Sequence, residues 1–383
     1  MARPSRFHAL RVTGADRLTD DSVALTLAVP AELRELYRFT PGQHVPVRHL
    51  ADGREIRRTY SICSPAPAPG SDGPREVRIG IRLVADGVFS THAFKEINLG
   101  DTLEVGTPTG RFMLEPAPGR YAAVVGGSGI TPVLSIAATL LEREPDARFC
   151  LVRGDRTAAS TMFLEEVADL KDRYPDRFQL VTALSREEQE AGLPSGRLDR
   201  GRLTSLLPAL LPVDDVAGWY LCGPFGLVRE AESALRGLGV PRARVHEEIF
   251  HVDDAGTENA GPENAGTGNT GGAAAGEAAK PAAIGSAAAG PARASVTARL
   301  DGRSGTWAVA ERESLLEAVL RNRPDAPYAC KGGVCGTCRA FLVSGEVRMD
   351  RNYALEPEET DAGYVLACQS HPVTERVELD FDR

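Results

Sequence analysis

The chain reads Gly126-Gly127-Ser128-Gly129-Ile130-Thr131-Pro132 immediately after an apolar run from Tyr121 to Val125. Apolar residues then recur at helical spacing, at Val133, Ile136, Ala137, Leu140 and Leu141. This pattern predicts a strand, a glycine-rich turn and a helix that begins at Pro132, where a first-turn proline costs no hydrogen bond. Gly127, Ser128 and Gly129 would let the backbone approach a diphosphate, and Thr131 would cap the helix. A glycine turn with a purely structural role is the alternative.

The strand signal recurs downstream, at Phe149 to Val152, Phe178 to Leu184 and Trp219 to Cys222, with helical stretches between. The alternation of single strands with helices predicts a parallel α/β domain over residues 118–252. Upstream, residues 1–117 carry short alternating apolar runs separated by Pro and Gly clusters. These runs predict an all-β unit.

Residues 253–294 consist mainly of Gly, Ala, Asn, Thr and Pro, with almost no large apolar side chains. Such a composition buries too little apolar surface to offset its ordering entropy. We therefore predict a flexible linker that lets the blocks on either side move relative to each other. Residues 295–383 form a third, smaller domain, and the length of 383 residues agrees with two to three domains.

Charge and hydropathy argue against two classes of function. The chain has 53 acidic and 44 basic residues and a net charge of −9, which argues against affinity based on nucleic-acid phosphates. No apolar run has the length of a signal peptide or of a membrane span, so we expect a cytoplasmic protein. Residues 295–383 contain 15 Asp and Glu against 11 Lys and Arg, so a partner that docks there should be basic.

Four of the seven cysteines lie late in the chain, at Cys330, Cys335, Cys338 and Cys368. Their C-x4-C-x2-C spacing with one distant ligand is that of plant-type [2Fe–2S] ligation. The glycines between them would let backbone N–H groups turn toward the cluster sulfurs. A tetrahedral zinc site is the alternative, although zinc sites more often pair two C-x2-C hairpins. Cys63 and Cys150 are interpreted as buried packing residues.

Two short motifs stand in the all-β unit, Arg58-Thr59-Tyr60-Ser61 and Gly87-Val88-Phe89-Ser90. They resemble the flavin-binding motifs R-x-Y-S and G-x-x-S of the ferredoxin–NADP reductase family. The resemblance implies that Arg58 pairs with a flavin phosphate, Tyr60 lies against the isoalloxazine and Ser61 bonds the ring edge where hydride arrives. It also implies that backbone N–H groups near Ser90 face the pyrophosphate. The alternatives are a solvated strand face for the first motif and an ordinary N-cap at Ser90 for the second.

Further motifs follow the predicted strands of the α/β domain. Residues 126–132 match G-G-[ST]-G-x-[ST]-P of the same family, and Cys222-Gly223-Pro224 resembles its C-G-P motif, where a strand end meets the nicotinamide. The resemblance thus makes Ser61 and Cys222 candidate catalytic residues, with packing as the alternative for Cys222. Ser185 and Arg186 match the position that binds the 2′-phosphate of NADP, because a hydroxyl and a guanidinium suit that dianion. The neighbouring Glu187 suits it less.

Taken together, the chain outside the linker resembles a ferredoxin–NADP reductase with a C-terminal plant-type ferredoxin. The resemblance implies an antiparallel β-barrel that binds FAD, an α/β parallel-sheet domain that binds NADP, and an α+β β-grasp ferredoxin domain. It further implies that hydride passes from NADPH to FAD and that electrons then pass singly to the cluster and on to an oxygenase.

Several kinds of protein are candidates for the partner that accepts the electrons. Residues 87–94, 330–340 and 367–372 are most similar to the reductases of phenylacetyl-CoA epoxidases, which implies a multicomponent monooxygenase in phenylacetate catabolism as the partner. A ring-hydroxylating dioxygenase or a cytochrome P450 is the alternative partner. A zinc-stabilised nucleotide-binding interaction protein, without electron transfer, is the alternative from another class of function.

Overall fold

The computed structural model describes residues 7–51, 53–85, 87–187, 196–251, 294–328, 330–355 and 357–383. The strands form a six-stranded sheet, two five-stranded sheets and a two-stranded ribbon. The predicted linker lies outside the described residues except for Ala294, which is the first residue of a strand. In the described part of the chain, no helix is both long and apolar enough to cross a membrane.

The first sheet is antiparallel throughout and closes into a barrel. Its strands are β1 (Phe7–Thr19), β2 (Ser22–Ala28), β3 (His44–Ala51), β4 (Arg54–Ser61), β5 (Glu76–Arg82) and β6 (Thr102–Gly106), in the order β4-β3-β6-β1-β2-β5. Ile62, just beyond β4, bridges to Ile79 of β5, and Cys63 N–H donates to Arg78 O at 2.8 Å. These contacts join the two edges of the sheet, as the predicted barrel requires. A short helix, α1 (Val88–Lys95), lies between β5 and β6.

The second sheet is parallel throughout. It alternates with helices in the order β7 (Gly119–Gly126), α2 (Ile130–Arg143), β8 (Ala147–Asp155), α3 (Leu164–Arg173), β9 (Phe178–Leu184), α4 (Arg200–Leu210), β10 (Val216–Pro224), α5 (Phe225–Gly237) and β11 (Val245–His251). The strand order is β11-β10-β7-β8-β9. Separate apolar cores cover its two faces, which explains the nearly continuous apolar runs of the strands. The carboxyl ends of all five strands share one edge, where such sheets bind ligands.

Helix α2 begins earlier than predicted. Residues Gly127–Gly129 form a single 3-10 turn, and the α-helix starts at Ile130 with Gly129 as its N-cap. Thr131 therefore does not cap the helix: its hydroxyl lies inside the first turn and donates to Ser128 O at 2.9 Å. The predicted helix start is wrong because the glycine turn continues directly into the helix, and no side-chain cap marks the boundary.

The third sheet belongs to an α+β unit. Its elements are β12 (Ala294–Leu300), β13 (Arg303–Val309), α6 (Leu315–Leu320), β14 (Arg339–Ser344), β15 (Val347–Met349), α7 (Pro357–Asp361), β16 (Tyr364–Leu366), β17 (Ser370–Pro372) and β18 (Arg376–Asp380). The order is β13-β12-β18-β14-β16, with β12 and β18 parallel and the other pairs antiparallel, and β15 pairs with β17. Helix α6 buries Leu315, Leu316 and Val319 against this sheet. We refer to this unit as the ferredoxin-like domain.

Candidate functional site

The two predicted flavin motifs lie side by side in the barrel. Residues Arg58–Ser61 end strand β4, and the Tyr60 ring lies against the Phe89 ring of α1, with centroids 5.5 Å apart. Arg58 is exposed at this end of the barrel, whereas Ser61 is buried. The Ser61 hydroxyl donates to Glu248 Oε2 at 3.4 Å, so the motif reaches across to the last strand of the second sheet.

Gly87 is the N-cap of α1, so interpreting Ser90 as the N-cap is wrong. The Ser90 hydroxyl instead donates to Gly87 O and accepts from Val84 N–H, each at 3.1 Å. A Cβ on Gly87 would lie 2.4 Å from Ser90 Oγ, so a larger residue there would displace the Ser90 hydroxyl. Phe89 points into the barrel core. The motif therefore offers a phosphate the backbone N–H groups of the first turn rather than these side chains.

The two predicted nucleotide motifs interlock at the carboxyl edge of the parallel sheet. A Cβ on Gly129 would lie 2.2 Å from the carbonyl oxygen of Cys222, so only glycine fits there. Gly223 has a φ of +145°, and a Cβ on it would lie 2.9 Å from Gly126 O. Cys222 is wholly buried, and burial together with the Glu248 carboxylate raises the pKa of its thiol. The thiol thus stays neutral and is no nucleophile.

Glu248 links the flavin motif to the nicotinamide motif. It faces Cys222 in the register of β10 and β11. Its carboxylate bonds Ser61 and lies 3.5 Å from His44 Nδ1, and His44 stands directly opposite Ser61 in the register of β3 and β4. His44 is 4% exposed, and its Nε2 has no hydrogen-bond partner among the described residues. Sequence reasoning missed both residues, because neither belongs to a motif and the contacts join distant parts of the chain.

A barrel arginine lies at the glycine turn. Gly127 has a φ of +53°, and a Cβ on it would lie 3.0 Å from Arg82 Nη1. Arg82 belongs to β5, and its guanidinium also donates to Ser160 O and pairs with Asp21 at 3.3 Å. A cation beside a turn of open backbone N–H groups suits a pyrophosphate. No local signal in the sequence indicated Arg82.

Ser185 and Arg186 lie just beyond β9, at the same edge of the sheet as the glycine turn. Both are exposed, and Arg186 N–H donates to Arg156 O at 2.8 Å. The Glu187 carboxylate accepts a hydrogen bond from Ala158 N–H at 3.0 Å and is therefore engaged by the backbone. Within the described residues the Arg186 guanidinium forms no ion pair, which leaves its charge available to a ligand.

The loop that carries the first three cysteines curls around their sulfurs. Lys331, Gly333 and Gly336 have φ values of +53°, +80° and +66°, and Gly332 N–H donates to Cys330 Sγ at 3.3 Å. A hydrogen bond from Cys335, followed by bonds from backbone N–H groups, lowers the pKa of Cys330 to about 5. The same hydrogen bond, together with burial, raises the pKa of Cys335 well above its usual value, so the loop favours a thiolate at Cys330 specifically. Cys368 comes from the turn between β16 and β17.

The cysteines lie as two pairs. The sulfurs of Cys330 and Cys335 are within hydrogen-bond reach of each other, as are those of Cys338 and Cys368. No three His, Cys, Asp or Glu side chains of the described residues are placed to hold one metal ion. A tetrahedral zinc ion would need four ligands around one point, whereas a two-iron cluster takes two thiolates on each iron. The donor set thus fits the [2Fe–2S] cluster.

Comparison with known proteins agrees with this geometry. Family models match an oxidoreductase FAD-binding domain at residues 9–114, an oxidoreductase NAD-binding domain at 124–233 and a 2Fe-2S iron-sulfur cluster binding domain at 298–373. One of the subunits of 1,2-phenylacetyl-CoA epoxidase from Escherichia coli (strain K12) is 41% identical over 380 residues, covering 98% of each chain. The chain belongs to the ferredoxin–NADP reductase family with a C-terminal [2Fe–2S] domain.

Other relatives of this reductase also match nearly the whole chain. The ferredoxin reductase component of 3-ketosteroid-9-alpha-monooxygenase from Rhodococcus rhodochrous is 31% identical, covering 98% of this chain and 97% of that protein. The solved structure of phthalate dioxygenase reductase, 22% identical, covers 98% of both chains with a TM-score of 0.59. That structure shares the fold, which confirms the predicted arrangement of barrel, parallel-sheet and ferredoxin domains.

The reductase is an NAD(P)H-dependent flavin and iron–sulfur oxidoreductase, and the predicted FAD and [2Fe–2S] cofactors are confirmed. When bound, FAD accepts the two electrons of a hydride, and the cluster carries electrons one at a time. The chain itself brings the ends of β4 and β10 together through Glu248, so the flavin and nicotinamide motifs face each other.

Proposed function

We propose that the reductase oxidises NADPH and delivers single electrons to the oxygenase component of a phenylacetyl-CoA epoxidase. The observation that carries the proposal is the 41% identity to the Escherichia coli epoxidase protein, which extends over 98% of both chains. A likeness of that length includes the ferredoxin-like domain, the domain from which an oxygenase would take electrons. The partner is accordingly a multicomponent monooxygenase, and this chain needs no pocket for the acyl-CoA.

The proposal assigns each cofactor its residues. Arg58, Thr59, Tyr60, Ser61, Gly87, Val88, Phe89 and Ser90 serve FAD, and Cys330, Cys335, Cys338 and Cys368 ligate the cluster. Gly127, Ser128, Gly129, Thr131, Pro132, Ser185, Arg186, Cys222, Gly223 and Pro224 serve NADPH. Thr131 and Phe89 are buried, so their side chains shape the backbone of the site. Ser61 and Cys222 flank the point of hydride transfer, and Glu248 orients the Ser61 hydroxyl.

The preference for NADPH over NADH rests on Arg186. Its guanidinium forms no ion pair in the described part of the chain, whereas the carboxylate of Glu187 is engaged by Ala158 N–H. A site that selects NAD would instead present a free carboxylate to the ribose hydroxyl. The arrangement therefore favours the 2′-phosphate.

The domains divide at residues 1–117, 118–252 and 295–383, and a linker at 253–294 joins the last two. Three separate sheets support this division. We place the protein in the cytoplasm. All seven cysteines are free of disulfides, as a reducing compartment would maintain them.

Reconstitution with purified oxygenases tests directly which partner accepts the electrons. Purified reductase is mixed with NADPH and either a phenylacetyl-CoA epoxidase oxygenase or a 3-ketosteroid 9α-monooxygenase oxygenase, and product is measured for each substrate. We expect product from phenylacetyl-CoA and little from the steroid. Equal or reversed yields would overturn the proposed partner, whereas NADH outperforming NADPH would overturn only the nucleotide preference.

A further inference from the structure

Arg57 joins the barrel to the ferredoxin-like domain. The residue lies in β4, one position before the predicted flavin motif, and is 6% exposed. Its guanidinium donates to Pro324 O at 3.1 Å and to Ala326 O at 3.2 Å, both in the other domain. The same guanidinium lies 4.7 Å from the ring centroid of Tyr328. One buried side chain thus contacts three residues that are more than 260 positions away in sequence.

Those three contacts lie on the segment that enters the cluster loop. Tyr328 precedes Cys330 by two residues, and it is nearly buried at this junction. Arg57 and Arg58 are consecutive, so the strand that carries the flavin motif also carries the contact to the cluster loop. Arg57 therefore ties the flavin site to the cluster ligands through one strand and one short segment.

Other contacts join the domains but differ from this one in burial. Arg111 pairs with Glu359 and donates to Ala354 O, yet its side chain is 51% exposed. The Phe225 and Tyr353 rings meet edge to face with centroids 5.2 Å apart, and both residues are half-buried. An exposed ion pair contributes little to positioning because water competes for it. The buried fork of Arg57, with two carbonyl acceptors and a ring beneath it, fixes both distance and orientation.

We propose that Arg57 is a positioning residue that docks the ferredoxin-like domain on the flavin strand for electron transfer from the flavin to the cluster. The step moves one electron: the reduced flavin loses it, and one ferric iron of the cluster becomes ferrous. NAD(P)H supplies the electrons in pairs through hydride transfer. The inference rests on the proposed electron route from the nucleotide to the cluster and not on the identity of the oxygenase.

The neighbouring strand offers a matched control. Arg48 stands directly opposite Arg57 in the register of β3 and β4, and it pairs with Glu104 at 2.7 Å and with Glu55 at 3.7 Å. Glu55 also accepts from Arg57 at 2.6 Å. In the described part of the chain, Arg48 has no hydrogen bond or ion pair to residues 294–383. Arg48→Met thus removes a like charge from the paired position on the neighbouring strand, and it removes no hydrogen bond or ion pair to the ferredoxin-like domain.

The experiment compares Arg57→Met, Arg57→Lys and Arg48→Met in the full chain loaded with FAD and cluster. Stopped-flow absorbance, checked by electron paramagnetic resonance of samples frozen at set times, measures the rate at which NADPH reduces the cluster. Ferricyanide reduction, which draws electrons from the flavin, and the content of FAD and iron serve as readouts of the fold.

We expect Arg57→Met to slow cluster reduction at least tenfold, with ferricyanide activity within twofold of wild type and full FAD and iron. Arg57→Lys should give an intermediate rate, because an ammonium cannot hold both carbonyls in a fork. Arg48→Met should match wild type.

Three outcomes would overturn the proposal. The first is wild-type cluster reduction in Arg57→Met, and the second is an equal loss in Arg48→Met. The third is loss of FAD, iron or ferricyanide activity in both Arg57 variants, which would mean that the side chain only supports the fold. A wild-type chain whose cluster NADPH fails to reduce would overturn the electron route as well. A chain that reduces its cluster but not the epoxidase would overturn the partner alone.

Discussion

Replacing Gly129 by Ala should separate the two nucleotide motifs. The added Cβ would lie 2.2 Å from the carbonyl oxygen of Cys222, 2.4 Å from its carbonyl carbon and 2.7 Å from Gly223 N. All three atoms belong to backbone, so no side chain can rotate away. Restoring an ordinary contact of 3.4 Å would require the glycine turn and the end of β10 to move apart by about 1.2 Å.

A displacement of this size acts on the position of the nicotinamide more than on the fold. Misplacing reacting groups by about 1 Å lowers rates by about 100-fold. Overpacking of a well-packed contact lowers stability by about 1–3 kcal/mol. We therefore expect kcat/KM for NADPH, measured with ferricyanide, to fall about 100-fold while the chain retains FAD and iron.

Gly226→Ala is the matched control, because the same substitution in the first turn of α5 meets nothing within 4 Å. Alanine is the better helix former by up to about 1 kcal/mol, so this variant should keep its activity and unfold at the same or a higher temperature. Wild-type kcat/KM in Gly129→Ala would refute the interlocking of the two motifs. Loss of FAD and iron together would show that the substitution disrupts the fold instead.

Three further predictions concern single side chains. Arg186→Ala should raise the KM for NADPH about tenfold or more, because it removes a charge-assisted contact worth about 1.5–3 kcal/mol. The KM for NADH should change little, and equal effects on both nucleotides would contradict a phosphate contact. Cys335→Ser should abolish cluster assembly and electron transfer to an oxygenase yet leave ferricyanide reduction by NADPH, whereas loss of flavin and ferricyanide activity together would show that the domains fold as one unit. Glu248→Gln weakens the hydrogen bond from the Ser61 hydroxyl and should slow flavin reduction, measured by stopped flow, about tenfold. Glu248→Asp should be closer to wild type, and unchanged rates in both variants would show that Glu248 has no part in the site.

The features that local sequence encodes could be predicted, and those that depend on contacts between distant residues could not. The strand at Phe178–Leu184 follows from its short run of mainly apolar residues, and the cluster loop follows from cysteine spacing. The start of α2 was misplaced by two residues, because a turn of glycines leaves no side-chain signal at the helix boundary.

The residues that connect the motifs left no local signal. Glu248 stands in the run Val-His-Glu-Glu-Ile-Phe, where either glutamate alternates equally well on a strand. Its contact with Ser61 spans 187 positions, and that of Arg57 with Ala326 spans 269. Such pairs are set by how whole domains pack, and no periodicity within a short window reports on that packing.

The three cysteines outside the cluster are all buried, which affects how the protein responds to oxidation. Cys63, Cys150 and Cys222 are at most 4% exposed, and burial raises the pKa of the first two thiols to about 12. Oxidants attack accessible thiolates, so hydrogen peroxide leaking from a reduced flavin in air finds no reactive thiol in the barrel or the parallel-sheet domain. Ageing in air should therefore bleach the cluster first and leave a chain that still turns over with artificial acceptors. Reconstitution with iron and sulfide would then restore the cluster.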